Sequence, residues 1–442
     1  MALQNSCACS DRVRPGPLGS LNHYGLAAAL ALAMGCGGSE MQAGVDGGAG
    51  SDGGSPSPDM STPINTGALP TILPQIVPAQ GTITQPHIVP IFFPNNLLRT
   101  QLTTYVQNYV SRSASYAVLA EYGVTSSTVG TAVTLSTAAP ASATDADIDS
   151  FIAARVMDGT FPAADGKTLY VLFYPQSTSI THAGSKSCTD FAAFHGWTKV
   201  GSMDAPYAII PQCSASTSPG TLAALTVATS HEITEAVTDP IGVGWNDMND
   251  PYSLWFAPFA GNEVADMCEW LSDTAVTEIG IGVSARTWSN AAMRNKKNPC
   301  LPIPVGSPSF FAVPFMPDLR SIQINTRLRQ TELLTLSVNT PRTVEVRLSS
   351  DSPIRPMITV EAEEVPIATV SNPSPSKVLG LTWQEAPAAP RVTASAGSTV
   401  HLQVNASAAP ASAYTTFRVF ATITLSGGTK TQTMWAGQVN VR

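Results

Sequence analysis

Residues 221–239, TLAALTVATSHEITEAVTD, constrain this chain more than any other stretch. The first half is apolar at helical spacing, through Leu222, Leu225, Val227 and Ala228, and Asp239-Pro240 stops the helix. A helix of this kind is bound for a core. Yet it runs directly into His231, Glu232 and Glu235, an H-E-x-x-E pattern. Residues i and i+4 share a helix face, so His231 and Glu235 point the same way and can bind one metal ion. Glu232 sits about 100° around the axis, beside that ion but free of it. That is where a general base for a reacting water belongs. The competing reading is a surface helix with ordinary polar residues. The apolar run argues against it, because burying two carboxylates and an imidazole without a counter-charge is costly. A divalent metal removes that cost.

The rest of the chain supplies the context. It has 442 residues, enough for two or three domains, with 43% hydrophobic residues and only 12% charged ones. A net charge of −8 argues against nucleic acid as a partner. Residues 25–35, GLAAALALAMG, are too short to span a bilayer but suit the core of a signal peptide. The run ends at Gly35-Cys36, like a bacterial lipoprotein processing site, so 1–35 is expected to be a signal peptide and Cys36 a lipid anchor to a membrane. Simple secretion and a buried helix are the rival readings. Of seven cysteines, Cys188, Cys213, Cys268 and Cys300 lie in the body of the chain. An even number in an exported protein points to two disulfides with three possible pairings, and proximity favours Cys188–Cys213 with Cys268–Cys300. No CxxC pair supports a cysteine metal site.

Residues 36–80, rich in Gly, Ser, Asp and Pro, read as a flexible tether. The pattern predicts strands at 88–93, 168–175 and 207–213, and helices at 95–111, 145–157 and 221–237. That order makes 81–302 an α+β domain with a mixed sheet. Pro-rich 303–325 reads as a linker. Alternating runs at 344–348, 357–363, 400–405, 417–425 and 437–441 make 326–442 a β-sandwich, immunoglobulin-like in outline. It carries no clustered chemistry, and His401 reads as a solvent-facing strand residue.

A third metal donor is expected downstream, where Asn262-Glu263-Val264-Ala265-Asp266 precedes Met267-Cys268-Glu269. N-E-x-x-D resembles the second element of gluzincin metallopeptidases, in which a Glu binds zinc and an Asp a turn later orients the ligating His. Here Glu235 stands where that family has a second His, and Asp266 follows Glu263 by three residues rather than four. HEITEAVTDP with NEVADMCEW looks like the bacterial and plant proteins related to the phosphate-induced, EXORDIUM-like family. Residues 187–213, SCTDFAAFHGWTKVGSMDAPYAIIPQC, resemble that family's Cys, aromatic-His and strand-to-Cys segment. The resemblance covers about half the chain, 87–302, and implies a zincin-like domain. On it, Zn²⁺ is held by His231, Glu235 and Glu263, with Asp266 supporting His231 and Glu232 activating water.

Three further features carry alternatives. His195 in FHGW stabilises an oxyanion in the cleft or is a packed loop residue. Tyr207 opens an edge strand against which a peptide pairs, or is a core aromatic. Asn246, Asp247, Asn249 and Asp250 form a calcium site or a polar turn. No G-x-S-x-G, P-loop or dinucleotide fingerprint occurs. Two functions follow. One is an exported, lipid-anchored zinc metallopeptidase acting on a peptide or protein. The other is a non-catalytic surface protein with a structural or vestigial metal, binding cell-wall or matrix polymer through the sandwich.

Overall fold

A computed structural model describes residues 75–76, 81–241, 263–324, 327–366, 375–410 and 414–442, the side chains of 319–331 aside. The signal segment, Cys36, the tether apart from Gln75 and Ile76, and the Asn246–Asp250 cluster lie outside the described residues. Ile76, expected in the flexible tether, is instead buried in the core, its amide and carbonyl bonded to the Asn290 side chain. The chain is mixed α/β, mostly strands in several sheets, with a β-sandwich in its second half.

The first half is built on a mixed sheet. Its main strands are β1 (His87–Phe92), β2 (Thr128–Val129), β3 (Thr168–Tyr174), β4 (Phe194–Val200) and β5 (Met203–Pro211). They lie in the order β2-β1-β3-β5-β4, parallel except for β4, which runs antiparallel at the edge. Every residue of β3, TLYVLFY, is buried, as in a parallel strand covered on both faces. Its side chains alternate between two cores. Leu169, Val171 and Phe173 pack with the helix bearing H-E-x-x-E, whereas Tyr170, Leu172 and Tyr174 pack with Ile148 and Ile152 on the opposite side. Tyr207 lies on internal β5, buried, with its hydroxyl donating to Asp149 at 3.0 Å. The edge-strand reading of Tyr207 is therefore corrected: the edge is β4, which carries His195.

Helices α1 (Arg99–Arg112) and α3 (Pro219–Thr238) cover one face of this sheet, and α2 (Asp145–Met157) the other. Ser218 caps α3 by accepting from the Thr221 amide, and Pro219 takes a first-turn position where its missing N–H costs nothing. The buried hydroxyls of α3 are satisfied within the helix and by its neighbours. Thr229 donates to the Leu225 carbonyl and Thr238 to that of Thr234, while Ser230 accepts from the Ala285 amide. That last bond joins the helix to a hairpin of Ala275–Glu278 and Gly282–Ala285.

Residues 303–325, expected as a linker, contain two strands of the sandwich, β6 (Phe310–Phe315) and β7 (Asp318–Ile324). The remaining strands are β8 (Arg327–Leu336), β9 (Arg342–Ser350), β10 (Met357–Val365), β11 (Leu379–Trp383), β12 (Arg391–Ser395), β13 (Thr399–Ala406), β14 (Tyr414–Thr424) and β15 (Lys430–Val441). One sheet runs β6-β9-β13-β11 and the other β7-β8-β15-β14-β10-β12. Proline was misleading because β6 is an edge strand, where Pro314 removes no ladder bond that the sheet needs. His401 pairs with Glu385 at 2.8 Å.

The sandwich is packed onto the first half. Phe311 and Val313 of β6 and Met434, Trp435 and Ala436 of β15 belong to the same core as α1 and α3. Arg418 of β14 lies 4.0 Å over the Trp270 ring, Gln432 accepts from the Ser272 amide, and Thr431 donates to Asp273.

Candidate metal centre

Helix α3 delivers three side chains to one place. His231 and Glu235, one turn apart, meet with Nε2 and Oε2 3.1 Å apart. Glu232, beside them, faces His195 across the gap to β4, with Oε2 3.3 Å from Nδ1. His195 is also 3.7 Å from Glu235 Oε2. The 263–269 segment closes the group from the other side. Only Asp266–Glu269 is helical (α4), and Glu263 lies in the bend before it.

The two downstream carboxylates reach different histidines. Asp266 Oδ1 lies 3.3 Å from His231 Nε2, and Glu263 Oε2 lies 3.4 Å from His195 Nε2. The Asp266 amide donates to Glu235 Oε1 at 3.0 Å, which leaves Glu235 Oε2 turned to both imidazoles. Glu263, expected beside His231 and Glu235, thus sits against His195. Asp266, expected behind His231, has a carboxylate oxygen level with the other donors. His195, expected as an oxyanion stabiliser or a loop residue, is on a strand inside the cluster.

The electrostatics are those of a site crowded with carboxylates. Burial pulls the His195 imidazole down, but Glu263, Glu232 and Glu235 outweigh it and push it up to about 10. Burial likewise opposes protonation of His231, yet Glu235 and Asp266 hold it well above its usual value. Burial, then Asp266, raises Glu235 to about 7. Burial and the neighbouring carboxylates lift Glu263 well above the carboxylate range. Glu269, which sequence reasoning passed over, is raised to about 8 by burial and Asp266. Its signal was the i,i+3 spacing from Asp266, which puts both on one face of α4.

The donor set fits a divalent cation. Zinc bonds of about 2.0–2.2 Å place tetrahedral donors about 3.3–3.6 Å apart. His231 Nε2 lies 3.1 Å from Glu235 Oε2 and 3.3 Å from Asp266 Oδ1, and His195 Nε2 lies 3.4 Å from Glu263 Oε2. Glu263 Oε2 is buried and accepts no hydrogen bond, which a cation would satisfy. Imidazole with carboxylate suits zinc, and the excess of oxygen also suits manganese.

Disulfides brace both sides of the centre. Cys188–Cys213 closes the loop that contains β4, and Cys268–Cys300 fixes α4 to the end of the first half. These are the pairs that proximity favours. Such bonds persist in oxidising compartments, which suits a folded chain outside the cytosol. Among the described residues no helix is long and apolar enough to cross a membrane.

No family model and no curated protein matches this chain. Among solved structures, the native conformation of E. coli alpha-2-macroglobulin is similar at 14% identity and TM-score 0.18, over 30% of this chain and 6% of that one. A nucleoside hydrolase-related hypothetical protein from Saccharophagus degradans, associated with carbohydrate metabolism, is similar at 11% identity and TM-score 0.16. There the match spans 30% of this chain and 25% of that one. Catalytically inactive OgpA from Akkermansia muciniphila, in complex with an O-glycopeptide substrate, is similar at 11% identity and TM-score 0.21, over 82% of this chain and 95% of that one. TM-scores this low define neither fold nor function for this chain.

Proposed function

We propose that this protein is an exported, zinc-dependent, zincin-like hydrolase that cleaves peptide bonds. The observation that carries the reading is the cluster itself. Two imidazoles and four carboxylates converge at 3.1–3.7 Å with one buried carboxylate oxygen left unbonded. Support comes also from the frame, a mixed sheet whose antiparallel edge strand faces the helix bearing H-E-x-x-E. The resemblance to the EXORDIUM-like and gluzincin motifs points the same way, as does Gly35-Cys36 for lipid anchoring.

His231, Glu235 and a carboxylate of the 263–266 segment would hold the ion. When bound, Zn²⁺ supplies a Lewis acid that polarises a carbonyl and acidifies a water. Glu232 takes the proton of the attacking water and returns it to the leaving amine, a role that needs a carboxylate beside the donors. His195, 3.3 Å away, fixes the orientation of Glu232. The outer edge of β4, which pairs with no further strand among the described residues, offers hydrogen bonds to an extended peptide, which aligns the scissile bond with Glu232.

The test is metal analysis of the purified protein followed by assay on a peptide library. Glu232→Gln is expected to keep the metal and the fold while lowering hydrolysis at least ~100-fold. Equal activity in parent and variant removes Glu232 from the mechanism. A metal-loaded parent that cleaves no peptide sends the reading to a non-catalytic surface protein.

A further inference from the structure

We infer that the centre binds two divalent cations, with Glu235 as the bridge between them. The inference rests on the reading above that the cluster is a metal site. The donors do not form one ring around one point. They form two sets, His231/Glu235/Asp266 and His195/Glu235/Glu263, each with its ligand atoms within 4.8 Å of one another, and Glu235 is the member in common. Asp266 pairs with His231 and not with His195, whereas Glu263 pairs with His195 and not with His231.

Three details favour two ions over one. The first is the geometry at Glu235. Its Oε1 is taken by the Asp266 amide, while Oε2 lies between the histidines, 3.1 Å from His231 Nε2 and 3.7 Å from His195 Nδ1. An oxygen placed so can touch two ions about 3.5–4 Å apart, the spacing of two-metal sites. The second is charge. Glu232, Glu235, Glu263 and Asp266, with Glu269 beside them, carry five negative charges when ionised, against two imidazoles that ligate as neutral groups. One divalent cation leaves three of those charges uncompensated in a buried site, and a second leaves one. The third is the unbonded oxygen. Glu263 Oε2 belongs to the His195 set, so an ion held by His231, Glu235 and Asp266 leaves it with only the 3.4 Å approach of His195 Nε2 and no hydrogen bond. The second position takes the same class of ion, Zn²⁺ or Mn²⁺, since its donors are again one imidazole and two carboxylates.

The experiment is titration of the metal-free full chain with Mn²⁺, read by equilibrium stoichiometry and by electron paramagnetic resonance. Two ions per chain and an exchange-coupled spectrum are expected for the parent. Glu263→Gln and His195→Ala are each expected to leave one ion per chain with an uncoupled Mn²⁺ spectrum. Glu263→Gln is nearly isosteric and serves if His195→Ala fails to fold, as judged by circular dichroism. One ion per chain in the parent, or coupling that survives Glu263→Gln, overturns the two-ion centre and leaves the hydrolase reading standing. No bound metal in the parent overturns both.

Discussion

Arg286 offers a test of what holds the downstream ligands in place. Its side chain is 1% exposed. The guanidinium pairs with Asp273 at 2.8 Å and donates through Nε to the Cys300 carbonyl at 2.9 Å, while its amide donates to Thr274. It thus ties the segment following α4 to the residue that closes the Cys268–Cys300 bridge. Burial pulls its pKa below the usual guanidinium value, with Asp273 opposing. Arg286→Met keeps most of the volume and removes the charge. Asp273 is then left nearly buried, with Thr431 as its remaining side-chain donor and Oδ1 already without a hydrogen bond. Breaking one partner of a buried pair costs about 3–5 kcal/mol. Asp273 is 15% exposed, so the lower end, about 3 kcal/mol, is expected. The assay is urea unfolding of the metal-free protein, with Asp273→Asn and the double variant completing a cycle. Because most of the loss is an orphaned charge, the double variant is expected to recover at least about half of it. A loss below about 1 kcal/mol for Arg286→Met, or a double variant worse than the single one, refutes this account of the interaction.

Two more outcomes follow from the same geometry. His195, Glu235 and Glu269 have folded values of about 10, 7 and 8, each above its ordinary value, so each contributes stability at low pH that is lost as pH rises through the folded value. The metal-free protein is therefore expected to melt lower at pH 9 than at pH 5, whereas added Zn²⁺ restores more stability at pH 9 than at pH 5, because fewer protons compete for the donors. A metal-free protein more stable at pH 9 than at pH 5 contradicts that sign. The bridges, with separations of 25 and 32 residues, are expected to contribute about 3.5 kcal/mol each in the chain-entropy model. Replacing Cys268 and Cys300 by Ala should also weaken metal binding, read by competition with a chelating dye. Unchanged affinity would mean that Asp266 and Glu263 are positioned without the bridge.

Local chemistry made much of this legible from the chain alone. The helix is legible as 221–237 against Pro219–Thr238, because apolar spacing and an Asp-Pro stop are written within one segment; the structure adds the Ser218 cap and Pro219 at its start. Helix α2 appeared with its bounds unchanged, fixed by apolar spacing; the structure adds a Thr144–Asp147 capping box at its start. Strands of the sandwich with strict alternation were found. Arg391–Ser395 and Leu379–Trp383, which are short, were not, since the pairing that makes them strands lies far away in sequence. Strand β4, FHGWTKV, has no clean period either, and its antiparallel pairing with β5 is what makes it a strand.

By itself, the sequence determined that His231 and Glu235 share a helix face with Glu232 beside them, because the 3.6-residue turn fixes that relation wherever the helix goes. It also favoured the cysteine pairing, because short separations dominate loop closure. Which carboxylate meets which histidine was decided by tertiary structure. Asp266 reaches His231, and Glu263 reaches His195, only because the sheet order puts β4 at the edge above α3 and the 263–269 segment is held opposite it. Those distances are sums over many packed side chains, and no local spacing contains them. The same holds for the sandwich. Its alternating strands are visible in the sequence, but that Phe311, Met434 and Trp435 join the core of α1 and α3 rather than the sandwich's own core arises only when the two halves pack and exclude water together.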